Sequence, residues 1–214
     1  MRSHAVCDFA RENDMARHRR TALLSAYDKI GLKDFAAKLA SLKWHLMGSA
    51  GTAKYLCERG ILCRDVAEFI GPPILGHRVV TLSREIHAAL MAQDTPEDKK
   101  ELDNIGVPRI DLVYVNLYPL EAETLRSEAT LESIIEKTDI GGPTLIRSAA
   151  KGRRLVICRQ QDMADALEYA SAMAKFNTGC DPRVISFFAA IAEQEVSAYC
   201  AISADFHRKY AQLQ

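Results

Sequence analysis

The sequence has no excess of charge of either sign, because 28 lysines and arginines are balanced by 28 aspartates and glutamates. It therefore lacks a general attraction to nucleic acid or to an anionic membrane, and any phosphate must be held by a local site. No run approaches the roughly 18 apolar residues of a membrane span, and the N-terminus lacks the apolar core of a secretion signal. We expect a cytoplasmic protein without nucleic-acid or membrane partners.

Paired cysteine motifs are also missing. The six cysteines form no CxxC pair, and no histidine follows them at the spacing of a zinc site. Cysteines placed in this way are typical of reduced packing residues, so we expect neither a metal site nor a redox centre. The remaining composition, 48% hydrophobic and 26% charged, is that of an ordinary globular chain whose length suits one domain.

Short apolar runs bounded by turn residues alternate with segments of helical periodicity. The runs, which predict strands buried on both faces, are residues 21–27, 44–49, 111–118 and 154–159. The helical segments begin at Leu32, Thr52 and Ala164, and a long one covers residues 183–210. This alternation predicts an α/β fold of parallel βαβ units, with helices on both faces of one sheet.

Two stretches interrupt the alternation. Residues 69–87 contain two glycines and two prolines, which exclude a long regular element and predict a loop. Between residues 116 and 152 a strand ends in Asn-Leu-Tyr-Pro, and Asp-Ile-Gly-Gly-Pro breaks a helical pattern. Because α/β folds bind ligands in loops at the carboxyl ends of their strands, these stretches are the candidate binding region.

Two strand-to-helix junctions, residues 25–31 and 48–56, carry glycines and hydroxyl residues. Backbone N–H groups and the helix dipole at such junctions favour a phosphate, and Lys29 would add a positive charge. The competing interpretation is that these residues only cap helices.

The second stretch offers groups for acid–base chemistry. Asn116 and Tyr118 can hydrogen-bond an amide or a heterocycle, although a turn with a half-buried tyrosine has the same pattern. Asp139 could orient or deprotonate an amide, and Lys151 could act as an acid or an electrostatic stabiliser. The alternative is that Asp139 and the later cations only complement a helix dipole.

The order of these motifs resembles the IMP cyclohydrolase domain of the bifunctional AICAR transformylase/IMP cyclohydrolase. The similarity rests on SxxDKxG, GTAKxL, RVxTL, NLYP and DIGGPTxxRSAAK, of which the last two form a specific combination. It begins at about Arg19, so residues 1–18 are expected to be a flexible extension and residues 19–214 the domain. The implied fold is a methylglyoxal-synthase-like three-layer α/β/α sandwich on a mostly parallel sheet.

The resemblance implies that the carboxamide nitrogen of formyl-AICAR attacks the formyl carbon, and that water leaves to give IMP. It implies Tyr118, Asp139 and Lys151 as catalytic residues. The implied substrate-binding residues are Ser25, Lys29, Ser49, Gly51, Thr52, Arg78, Thr81, Asn116, Ile140 and Gly141. A ribonucleotide substrate, a homodimer and the absence of cofactor and metal are implied as well. Since the sequence stops where the transformylase half would begin, we expect a separate formyltransferase to supply the substrate.

One loop departs from the family, which usually reads GRVKTLHPK there. Val80 occupies the position of an active-site lysine, and Ser83, Arg84 and Glu85 replace the HPK. An apolar side chain supplies neither a proton nor a charge, and loss of such a stabiliser typically costs about 10²–10³ in rate. Arg84 or His87 is the expected substitute. The other departures are Tyr27 and Ile30, where Ser and Thr are usual, and Ala50 in place of a glycine.

Three functions stay open at this point. The first is a slow IMP cyclohydrolase. The second is an enzyme that closes or opens a ring on a modified purine-type ribonucleotide, suggested by a retained framework beside a rewritten loop. The third is a non-catalytic regulatory domain that binds a nucleotide phosphate. The retention of Tyr118, Asp139 and Lys151 argues against the third, because binding alone gives no reason to keep all three.

Overall fold

The computed structural model describes residues 20–76 and 78–212, so the extension expected over residues 1–18 lies outside the described residues. Five strands form one sheet in the order β3-β2-β1-β4-β5, and every neighbouring pair is parallel. The strands are β1 (Thr21–Ala26), β2 (His45–Gly48), β3 (Arg64–Asp65), β4 (Leu112–Asn116) and β5 (Leu155–Ile157). The four predicted strands are confirmed. Strand β3 was not predicted, because two residues carry no periodicity.

Ten α-helices occur in the part of the chain that the structure describes. They are α1 (Leu32–Ser41), α2 (Ala50–Cys57), α3 (Ala67–Ile70), α4 (Arg84–Met91), α5 (Pro96–Ile105), α6 (Leu120–Thr124), α7 (Leu131–Lys137), α8 (Gly141–Lys151), α9 (Met163–Phe176) and α10 (Pro182–Gln212). The loop predicted over residues 69–87 is confirmed only for its middle. Helix α4 begins inside it because the Ser83 hydroxyl caps the helix and accepts a hydrogen bond from the Ile86 N–H at 3.1 Å.

The sheet is covered on both faces, as its continuous apolar strands predict. Leu23 and Leu24 point to opposite faces of β1, and both are fully buried. Helix α8 packs on β4 and β5, and α4 and α10 pack against α8. Helix α1 packs on β2 and against α9. The arrangement is the expected three-layer α/β/α sandwich. None of the described helices is both long and apolar enough to cross a membrane.

The all-parallel sheet has two chemically different edges. The carboxyl ends of the central strands lie side by side, since Ser25 pairs with Val115 and Leu24 pairs with Gly48. Helix α8 runs back from this carboxyl edge to the amino edge, and its 11 residues span about 16 Å at roughly 1.5 Å per residue. Residues at the two ends of α8 therefore belong to different edges of the sheet.

Candidate functional site

A cavity of about 620 Å³, which we call the carboxyl-edge cavity, lies where β1, β2 and β4 end. Its volume is in the range of small-molecule sites. It is lined by the ends of β1 and β2, the loop before α4, and the segment that joins α7 to α8. The predicted site residues that it brings together are Ser25, Ser49, Arg78, Thr81, Tyr118, Asp139, Ile140 and Gly141.

Two serine hydroxyls line the cavity beside the N-terminus of α2. The Ser25 hydroxyl donates to Ser49 Oγ at 3.1 Å, and Ser49 donates to Thr52 Oγ1 at 3.2 Å. Thr52 is fully buried, and its Oγ1 accepts a hydrogen bond from the Ala26 N–H at 3.0 Å. Thr52 therefore links β1 to α2 and has no surface for substrate, in contrast to its predicted role. Gly51 also lies outside the cavity lining.

Asn116 holds the loop that follows β1. Its Oδ1 accepts hydrogen bonds from the N–H groups of Tyr27 at 2.6 Å and Asp28 at 3.1 Å. Its Nδ2 donates to the Asp28 carbonyl at 2.8 Å and to the Tyr114 hydroxyl at 2.9 Å. These four bonds engage both the oxygen and the nitrogen of the side-chain amide, so Asn116 positions the loop. Asn116 is not among the residues that line the cavity.

Lys29 is also engaged within the same loop. Its ammonium donates to the backbone carbonyls of Ala26 and Tyr27. Burial lowers the pKa of Lys29, and the nearby Asp28 carboxylate partly opposes this. Lys29 does not line the cavity, so a contact with phosphate requires its side chain to leave these carbonyls.

Replacing Asn116 with Ala is expected to lower the free energy of unfolding by about 1–2 kcal/mol, since two N–H donors lose their acceptor but can partly turn to water. Urea denaturation measures the change. Asn104→Ala, on the exposed surface of α5, is the matched control and should stay within about 0.5 kcal/mol of wild type. Equal losses in the two variants would contradict the positioning role.

Asp139 lies at the entrance to α8 and faces the cavity. Its Oδ1 accepts a hydrogen bond from the Gly142 N–H at 3.0 Å, and its own N–H donates to the Tyr199 hydroxyl at 2.7 Å. Burial raises the pKa of Asp139, while the N–H groups of Gly142 and Gly141 oppose the rise. The carboxylate thus caps the helix and is also a stronger proton acceptor than an exposed one.

The glycine pair after Asp139 is explained by close packing. A Cβ atom on Gly142 would lie 2.3 Å from Asp139 Oδ2 and 2.7 Å from Leu117 Cδ2. A Cβ atom on Gly141 would lie 2.9 Å from Thr81 Oγ1. Any side chain at these two positions would displace the carboxylate or the hydroxyl from the cavity wall.

Aromatic side chains form another wall of the cavity. The Tyr118 ring meets the Tyr27 ring edge to face at 4.7 Å between centroids. The Tyr118 hydroxyl donates to Glu123 Oε2 at 3.2 Å, and the Lys137 ammonium lies 5.2 Å from the Tyr118 ring centroid. Such rings offer contact area to a planar heterocycle, and Lys137 brings a positive charge next to it.

The rewritten loop places Val80 in the cavity wall. Arg84 is exposed outside the cavity, 3.6 Å from Glu85, and His87 packs against α8 with Nδ1 2.8 Å from Ser148 Oγ. Burial lowers the pKa of His87. The expectation that Arg84 or His87 takes the place of the missing lysine is therefore wrong for this arrangement. Lys137 is a cation in the cavity lining that the sequence did not indicate, apart from its position two residues before Asp139.

Lys151 is not brought together with Tyr118 and Asp139. It ends α8, whereas Asp139 precedes the start of that helix, so the length of the helix, about 16 Å, separates them. Lys151 lines a different cavity, at the amino edge of the sheet. Within this chain, the acid or electrostatic role predicted for Lys151 has no access to the carboxyl-edge cavity. The described residues also contain no cluster of three or more potential metal ligands.

Known proteins share this architecture. Residues 31–144 match the family described as the MGS-like domain. The bifunctional purine biosynthesis protein PurH of Persephonella marina is 41% identical over 158 residues, which are 73% of this chain and 30% of that protein. The chain thus corresponds to less than a third of that relative. The crystal structure of ForH superposes with a TM-score of 0.75 at 29% identity, covering 88% of this chain and 98% of ForH.

Proposed function

The chain belongs to the MGS-like domain family, and on that premise we propose that it closes a purine-type ring on a ribonucleotide, converting formyl-AICAR to IMP with loss of water. The observation that carries this proposal is one cavity in which a partly buried carboxylate, two tyrosine rings and paired serine hydroxyls meet. A cytoplasmic location, a homodimer and a separate source of formyl-AICAR stay predictions.

The phosphate of the substrate belongs beside the two serine hydroxyls. Ser25 and Ser49 bond mainly to each other and to Thr52, so each can turn its proton toward an incoming oxygen. The N–H groups at the start of α2 favour an anion at the same point. Arg78, which is exposed and lines the same cavity, adds a positive charge.

Ring closure requires one base and one stabiliser of negative charge. The Asp139 carboxylate takes a proton from the carboxamide nitrogen as that nitrogen bonds to the formyl carbon. The carbonyl electron pair moves to the formyl oxygen, which becomes a hydroxyl on protonation. The carbon–oxygen bond then breaks, the formamide nitrogen loses its proton, and water departs as the new double bond forms.

Lys137 is the residue that we assign to the developing negative charge on the formyl oxygen. It is the lysine in the cavity lining, it lies over the Tyr118 ring, and it ends α7 just before Asp139. A charge at this position performs the electrostatic task that Val80 cannot perform. In this mechanism the cation comes from the end of α7 instead of from the loop before α4.

Lys137→Met is expected to lower kcat for formyl-AICAR about 10²-fold, because one charge at the developing oxyanion is worth about 2.7–4 kcal/mol. Adding Val80→Lys to this variant should restore most of the loss. Lys38→Met, on the exposed face of α1, is the matched control and should keep wild-type kinetics. A Lys137→Met enzyme with unchanged kcat removes Lys137 from the mechanism but leaves the reaction itself in place.

The reaction is tested by following IMP formation from formyl-AICAR by ultraviolet absorbance. Turnover well above the uncatalysed rate, abolished in a Ser25→Ala/Asp139→Asn double variant, supports the proposal. The absence of turnover in the wild-type protein would overturn it.

A second function is favoured by the apolar character of the site. Val80 and Tyr27 replace polar residues of the family, and both line the cavity. A related cyclisation or ring opening on a modified purine-type ribonucleotide would use the same base and anchor. Tight IMP binding without formyl-AICAR turnover, measured by calorimetry, is the result expected for this function.

A further inference from the structure

A second cavity, of about 480 Å³, lies at the amino edge of the sheet and takes no part in the proposed reaction. We call it the amino-edge cavity. It is bounded by the residues that precede β1, β4 and β5, and by the C-terminal end of α8. It therefore lies on the opposite edge from Asp139, separated from it by the length of α8.

Positive charge dominates the described lining of this cavity. The two carboxylates in it are Asp94 and Asp111, and both already face arginines. Arg109 lies 3.6 Å from Asp94 and 3.7 Å from Asp111, and Arg20 lies 3.7 Å from Asp111. The cationic side chains of the lining are Arg20, Arg109, Lys151, Arg153 and Arg154. The carboxylates therefore do not neutralise the cavity.

Two of these arginines are held in place by the protein. Arg154 is only 3% exposed, and it donates to the carbonyls of Leu90 at 2.6 Å and of Ala92. Burial, and then the charge of Arg109, lower the pKa of Arg154 to about 10, so it remains a cation at neutral pH. The Arg109 Nε is buried and forms no hydrogen bond with the described residues, although Asp111 Oδ1 lies 3.7 Å from it. A buried N–H without a hydrogen bond is costly, so Arg109 has a donor that the described residues leave unused.

Lys151 and Arg153 flank Gly152 at the rim of the cavity. Both are exposed, and neither forms an ion pair among the described residues. Arg153 has a φ of 58°, a left-handed conformation that is unfavourable for a side chain of this size. Lys151 and Arg153 thus lie unpaired on a turn next to Arg109 and Arg154, which the protein holds in place.

We propose that the amino-edge cavity is a second ligand site, which binds a small anion with two or more negative charges, of the phosphate or oligophosphate class. The anchored arginines give this site its fixed charge, and Lys151 and Arg153 close on the anion from the rim. The site is independent of the ring-closing reaction and accounts for Lys151, which the carboxyl-edge cavity leaves unused.

Isothermal titration of the intact protein with pyrophosphate tests this inference. We expect saturable binding that weakens as salt is added, because the attraction is electrostatic. The Lys151→Met/Arg153→Met variant should bind pyrophosphate at least about tenfold more weakly. Lys33→Met/Lys38→Met removes the same number of charges from the exposed face of α1 and should bind as wild type does.

A further variant separates the two cavities. Ser25→Ala/Ser49→Ala weakens the anion site proposed at the carboxyl edge and should leave pyrophosphate affinity at the amino edge unchanged. Affinity that is lost in the serine variant but retained in Lys151→Met/Arg153→Met overturns the inference. No binding at millimolar pyrophosphate overturns it as well. Neither result bears on turnover of formyl-AICAR, so the turnover assay tests the proposed function independently of this inference.

Discussion

An Asp139→Asn variant is expected to turn over formyl-AICAR about 10²- to 10⁴-fold more slowly than the wild-type protein, with its fold preserved. Asn keeps an oxygen that can accept the Gly142 N–H now bound to Asp139 Oδ1 at 3.0 Å. It cannot take a proton from the carboxamide nitrogen. The variant therefore removes the base and keeps the helix cap, and steady-state kinetics measure the difference.

The pH dependence of the rate distinguishes this role from a structural one. The pKa of Asp139 is raised by burial, so the wild-type rate should fall as pH drops through this raised pKa. This acidic limb should be missing in Asp139→Asn. Since the raised pKa means that the fold favours the protonated form, the stabilising contribution is present at low pH and lost as pH rises through the folded pKa. The variant should therefore be no less stable than wild type at neutral pH. Unchanged turnover would remove Asp139 from the acid–base assignment.

Gly152→Ala is expected to lower the free energy of unfolding by about 3 kcal/mol or to prevent accumulation of folded protein. A Cβ atom at residue 152 would lie 1.9 Å from the Leu90 carbonyl oxygen and 3.1 Å from Met91 Cα. Both are backbone atoms and cannot rotate away. The same carbonyl accepts the hydrogen bond from Arg154, so moving it disturbs a buried cation too. Urea denaturation, or the yield of folded protein, measures the loss.

Gly51→Ala is the matched control for this substitution. A Cβ atom at residue 51 would meet nothing within 4 Å, and the residue lies in the first turn of α2. The change should be neutral or stabilising by up to about 1 kcal/mol, because Ala is the better helix former. If the two variants unfold at the same urea concentration, the close approach of α8 to α4 is not what requires a glycine at residue 152.

Local sequence patterns were sufficient to predict much of the fold and part of the candidate site. Continuous apolar runs predicted four strands, because a strand buried on both faces must be apolar along its whole length. The Asp139 motif was recognisable because its contacts are also local. The carboxylate bonds to the start of the helix that follows it, so Asp139 and the glycine required at residue 142 lie within four residues of each other in the sequence. Ser25, Ser49 and Tyr118 follow strands, and parallel pairing brings strand ends together.

The sequence by itself thus determined the α/β class, the edge at which the site lies, and the aspartate at its centre. Only the tertiary structure decided which cations and amides line the carboxyl-edge cavity. Lys151 carries a family motif but is removed from the site by the length of α8, whereas Lys137 carries none and lies over Tyr118. Asn116 is turned inward by the loop after β1. These assignments depend on contacts between residues far apart in the chain, and no local pattern of charge or hydrophobicity encodes them.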